Sequence, residues 1–145
     1  MVKNIRVFCS DKKVRVNKIR VHTLVNSLKK ELNFSISSLP INFISSSEIT
    51  IINKKYLNHN YSTDIITFNY SGSKDDLDGE IFISYDDAKK NSHKFKNSLA
   101  EEIFRLVIHG VLHLLGYDDM KAKDKKIMKS LENQLLNRNK FLLLN

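Results

Sequence analysis

The stretch SLAEEIFRLVIHGVLHLL, Ser98 to Leu115, is the longest apolar segment of the chain, yet it carries His109 and His113 four positions apart and stops at Gly116. Its spacing predicts a helix. Ser98 is a natural N-cap, and Glu101 three residues later completes a capping box that satisfies two orphan amides. Gly116 permits the left-handed backbone that ends a helix and swings the chain back. On a helix, residues four apart differ by about 40° around the axis and roughly 6 Å along it. The two imidazoles therefore project side by side.

Around that helix the pattern predicts an α+β fold in one domain spanning residues 1–145: a small mixed β-sheet packed with helices. Ile5, Val7 and Cys9 alternate with Asn4, Arg6 and Phe8, which predicts a first strand. A helix comes next, with Asn17 as N-cap and Ile19, Leu24, Leu28 and Leu32 near helical spacing; His22 on it reads as a surface residue. LPINFIS is a second strand, and SSSE caps a helix through EITIINKKYLN. TDIITFNY and LDGEIFIS are strands joined as a tight hairpin across SGSKDD. YDDAKKNSHKF is a short polar helix with His93 exposed, and AKDKKIMKSLENQLLNRN is a basic amphipathic one. With 41% hydrophobic and 28% charged residues the chain reads as soluble and globular. The start, MVKNIRVFCSDKKVRV, lacks the pattern of a signal peptide, and the lone Cys9 suits a reducing compartment, so a cytoplasmic protein without membrane attachment is expected. Cys9 itself reads as a small buried hydrophobe.

Charge adds a direction. The net charge is +8, with a basic beginning and end around a mildly acidic middle, which is compatible with docking to a polyanion such as RNA and equally with a solvated surface.

Two histidines four apart are spaced to hold one transition metal, as in zinc sites of the HExxH kind; they could equally be core residues bonded to backbone. The residues beyond His113 favour the metal. The full pattern, H-x3-H-x2-G-x2-D, sets Asp119 where the returning chain meets the imidazoles. Three protein donors, His109, His113 and Asp119, leave an open position for water, the mark of a catalytic rather than a structural site. In HExxH peptidases the residue after the first histidine is the glutamate that serves as base; here it is Gly110, so peptide hydrolysis by that route is disfavoured.

At these residues the sequence resembles the YbeY family of metal-dependent endoribonucleases. HGVLHLLGYDD is similar to its H-G-x-L-H-L-x-G-Y-D-H signature, TDIITF to its T-[DN]-V-L-S-F strand, and LDGEIFIS to its G-D-I-x-I strand. The resemblance implies a zincin-like metal-binding helix and turn, one zinc ion, and cleavage of single-stranded RNA by metal-activated water. It further implies ribosomal RNA processing, including 16S rRNA 3′-end maturation, and ribosome quality control. The partners it implies are ribosomal RNA and ribosomal subunits, a small-subunit ribosomal protein and an Era-type GTPase. Two departures stand out. The family's third histidine is here Asp119, which lowers the formal charge of a zinc site and brings the donor set closer to that of non-heme iron enzymes. Its neighbour Asp118 is read as facing solvent or supporting the site from behind. The arginine the family shows after N-x-x-[YF] is here Leu57, which leaves His59 and Arg105 as local candidates for a phosphate, against the plainer reading of surface charge or helix salt bridge. Competing functions are a ribosome-assembly factor whose metal is mainly structural and, from the donor set alone, a peptidase or an iron-dependent oxygenase.

Overall fold

The computed structural model describes residues 4–143, so the extreme ends of the expected domain, residues 1–3 and 144–145, lie outside the described residues. Four strands form one sheet in the order β1-β2-β4-β3, where β1 is Ile5–Cys9, β2 Ser35–Ile44, β3 Ile65–Asn69 and β4 Asp76–Ser84. β1 and β4 both run parallel to the central β2, and β3 is antiparallel to β4 with Ile65 opposite Ile83 and Asn69 opposite Gly79. This is the mixed sheet that the sequence predicts. The hairpin is looser than expected, because residues 70–75 make a wide connection in which Tyr70 and Ser71 both donate to the Asp78 carbonyl. β2 starts four residues earlier than the Leu39 that the sequence suggests, and its register with β4 slips between Ile36 and Ser38, just before Pro40 withholds its ladder donor.

Strand alternation sorts the two faces. Leu39, Ile41, Phe43, Leu77, Ile81 and Ile83 are almost wholly buried on one face, against α1 (Lys18–Leu32) and α4 (Leu99–Leu114). Cys9 is only half-buried, packed against the margin of this core. On the other face Ile44 and Ile66 form a smaller cluster with Ile49 of α2 (Ser46–Leu57). Two further α-helices complete the set, α3 (Tyr85–Lys94) and α5 (Ala122–Asn139), the latter packed along α4.

Local chemistry sets the helix ends. Asn17 accepts from the Arg20 amide, and Ser45 with Glu48 makes the complete capping box. At Ser98 only half of the expected box forms: its hydroxyl accepts from the Glu101 amide, but the Glu101 carboxylate turns to Lys140 at 3.4 Å. Two expectations on α1 are corrected. Ile19 is 69% exposed, since it lies about 140° around the helix from Leu24; the buried stripe is Val21, Leu24, Val25 and Leu28. His22 shares that stripe and is buried, not a surface residue. No helix among the described residues is long and apolar enough to cross a membrane.

α4 is held by its apolar majority: Val107, Ile108, Val111 and Leu112 are fully buried, each contributing about 1.5–3 kcal/mol by leaving water. Gly110 lets the helix press on the sheet, since a Cβ there would stand 2.9 Å from Ile81 Cδ1 and 3.1 Å from Ile65 Cδ1. That contact fixes the rotation of α4, and with it the face that carries the histidines.

Candidate metal centre

His109 and His113 leave the face of α4 that neither sheet nor α1 covers, 21% and 28% exposed in their side chains. Their Nε2 atoms are 3.1 Å apart. After His113 the helix closes at Leu115, and Gly116 takes φ +101, a backbone that a side-chain-bearing residue rarely adopts. The amides of Gly116 and Tyr117 reach back to the carbonyls of His113 and Leu112, so the chain reverses within two residues. Asp119 thereby returns to the imidazoles, its Oδ2 at 3.7 Å from Nε2 of each. Asp118 points away to solvent, where its Oδ1 accepts from the Met120 amide.

Three donor atoms with edges of 3.1, 3.7 and 3.7 Å match a single small ion. Tetrahedral coordination with bonds of about 2.0–2.1 Å requires donors roughly 3.3 Å apart. Two imidazoles and one carboxylate are also the donor chemistry of such a site. His109, His113 and Asp119 form a group able to hold a metal ion.

Behind the triad lies a buried polar network that the sequence does not reveal. Glu132, on α5 and 2% exposed, accepts from His109 Nδ1 at 2.8 Å. A carboxylate has no proton to give, so His109 carries its hydrogen on Nδ1 and turns the Nε2 lone pair toward His113 and Asp119. Burial alone would raise the Glu132 carboxyl, but the His109 hydrogen bond and the Arg105 cation bring it below the ordinary glutamate range. Arg105 ties the network together, bonding Glu132 at 2.7 Å and the fully buried Glu102 at 2.6 Å and, through Nε, 3.0 Å. Burial works against its charge, and the two carboxylates overcome that penalty and raise its affinity for the proton. As a phosphate ligand Arg105 is thus superseded: three of its five donors are already engaged, and its charge offsets two buried acids.

Two further groups bear on the site. Burial holds His113 below the usual imidazole range, with the neighbouring His109 adding to it and Asp119 opposing it, which favours the neutral ring that a metal needs. Asp64, at the start of β3, is raised chiefly by burial, against the hydrogen bond it accepts from Asn91 Nδ2 and its attraction to His109. The other phosphate candidate, His59, lies in a different cleft with Leu57, stacked on Tyr61 at 5.2 Å between centroids. Glu132 had one sequence signal: an acid in an otherwise apolar register, Met128, Leu131, Leu135, of the last helix. Nothing in that register says which histidine it meets.

A family model described as Endoribonuclease YbeY matches residues 6–140. Proteins named Endoribonuclease YbeY from Cytophaga hutchinsonii and Chlorobium limicola are 37% and 33% identical, covering 83% and 92% of this chain and 85% and 92% of their own. One from Karelsulcia muelleri is 47% identical over 74% of this chain and 71% of its own. The solution structure of a Thermotoga maritima protein superposes with a TM-score of 0.68 at 26% identity, covering 94% of this chain and 89% of that one. The family model spans residues 6–140 and the relatives cover most of the chain, so the chain belongs to the YbeY endoribonuclease family.

Proposed function

We propose that this chain is a zinc-dependent endoribonuclease acting on single-stranded regions of ribosomal RNA, with 16S rRNA 3′-end maturation and ribosome quality control among its tasks. The observation that carries the reading is the donor triangle of His109, His113 and Asp119 in a chain of that family. When bound there, a divalent ion supplies Lewis acidity, acidifying water and offsetting the charge that builds on a phosphodiester.

The chain's own residues do the rest. Glu132 keeps the proton on His109 Nδ1 and orients the ring, while Arg105 holds Glu132 in place. Asp119, 37% exposed, leaves the triad open on the side of a cavity of about 180 Å³, so a substrate can reach it. That openness favours a catalytic centre over the mainly structural metal of an assembly factor. Gly110 faces Ile81 and Ile65 and brings no carboxylate, which speaks against peptide hydrolysis. Ribosomal subunits, a small-subunit ribosomal protein and an Era-type GTPase are the proposed partners, in the cytoplasm.

The test compares purified protein stripped with chelator and restored with zinc against a His109→Ala/His113→Ala variant on single-stranded ribosomal RNA fragments. Restored cleavage in the former and none in the latter is expected. Equal cleavage by the two would overturn the proposal.

A further inference from the structure

The cavity beside the triad has two chemically different walls. One is the metal centre with its support, His109, Asp119, Arg105 and Glu132; the other is α5, which presents Lys125 and Lys129. These lysines are four apart and so lie on one helical face, the face that also carries buried Met128 and Glu132. Met128 and Glu132 anchor α5 against α4, which fixes where the two lysines leave the helix. Both lysines are exposed, and neither forms a salt bridge with an acid among the described residues. That is unusual in this neighbourhood, where Arg105 is paired with two carboxylates.

Charge gives the arrangement a direction. Asp119, Glu132 and Glu102 contribute three negative charges, and a divalent ion with Arg105 contributes three positive ones. These cancel even before the nearby Asp64 and Asp118 are counted, so the loaded centre has no surplus positive charge to hold an anionic RNA strand along its length. Arg105 has no surplus charge to give, and Leu57 is apolar at the mouth of the other cleft. The unpaired cations that line the cavity are Lys125 and Lys129.

We propose that Lys125 and Lys129 hold the RNA backbone beside the reactive centre, each neutralising one phosphate. This inference rests on the endoribonuclease reading above. The lysines are positioning residues: they act on phosphates, not on the reacting atoms, and so set binding rather than the chemical step.

The test is a Lys125→Ala/Lys129→Ala variant, with Lys123→Ala/Lys126→Ala as a control that removes equal charge from the same helix without touching the cavity. Binding of a fluorescent single-stranded RNA of about 12 nucleotides to chelator-treated protein is followed by anisotropy over a salt series. With two phosphates no longer neutralised, the slope of log affinity against log salt should fall by about 1.4, at ~0.7 per phosphate. On the zinc-restored enzyme KM should rise with kcat nearly unchanged, and zinc content should match that of the parent protein. An unchanged slope and KM, or an equal fall in the control, overturns the proposal. Loss of cleavage in the double-histidine variant, measured alongside, shows that such a failure belongs to the lysines alone. Undiminished cleavage in that variant instead sinks the metal mechanism, and the binding slope still judges the lysines.

Discussion

At the scale of single residues, the imidazole of His109 is held from both ends, and the end that meets α5 is the informative one. Its bond to Glu132 fixes the tautomer, so Glu132→Gln, which keeps shape and loses charge, should weaken zinc binding roughly 10–100-fold. Calorimetric titration of zinc into the stripped protein measures it directly. Glu132→Ala goes further and leaves Arg105 facing one carboxylate fewer. Breaking a buried pair from one side costs about 3–5 kcal/mol, so the urea midpoint should drop sharply even without metal. Histidine protonation supplies a separate signature. His22 and His113 are both lowered, chiefly by burial, so each binds a proton less readily when folded than when unfolded. Their contribution to stability is complete above an unfolded value of about 6.5 and is lost as pH falls through the folded value. Metal-free protein should therefore be less stable to urea at pH 5.5 than at pH 7.5. His22→Leu, which also removes a buried Nδ1 without a hydrogen-bond partner, should make that dependence shallower.

Elements matter where they begin and end. Three residues beyond His113, Gly116 holds φ +101, and the stem of Lys74 runs 3.1 Å from where a Cβ would sit. Gly116→Ala should cost about 1–2 kcal/mol for the left-handed backbone. It should also weaken zinc binding, because the return of Asp119 depends on that turn; Ser45→Ala provides the contrast. It removes the capping box of α2, far in sequence from the ligands, and should cost ~1 kcal/mol in urea unfolding while leaving zinc affinity unchanged. A stretch of sequence announces such ends well when the chemistry is local: Asn17, Ser45 and Gly116 all act within four residues of their own backbone. Glu101 shows the limit. Its distant partner Lys140, on the short 3₁₀ turn Lys140–Leu143 after α5, competes for the carboxylate that a local rule assigns to the cap.

For the molecule as a whole, a metal held by the His109, His113 and Asp119 group would make binding and folding one equilibrium, because the unfolded chain offers no preformed triangle of donors. Zinc at 100 times its dissociation constant adds about 2.7 kcal/mol, which for a chain of this size is a rise in Tm of roughly 5–10 °C. Thermal unfolding with and without zinc should show it, and Asp119→Ala should abolish most of it. The sequence by itself determined what depends on near neighbours and on period: the alternation of β1 and β4, the long apolar α4, the pairing of His109 with His113 and the glycine that turns Asp119 back. Those come from backbone geometry repeating every two or 3.6 residues. Only the tertiary structure decided which group supports His109, that Arg105 reaches Glu132 on α5 beyond the local helix pair it makes with Glu102, that His22 is inside and Ile19 outside, and that Lys125 and Lys129 line a cavity with His109 and Asp119. Each is a contact between segments far apart along the chain, or a rotation of a helix about its own axis. Neither has a local signal, since both are fixed by what packs against the other side.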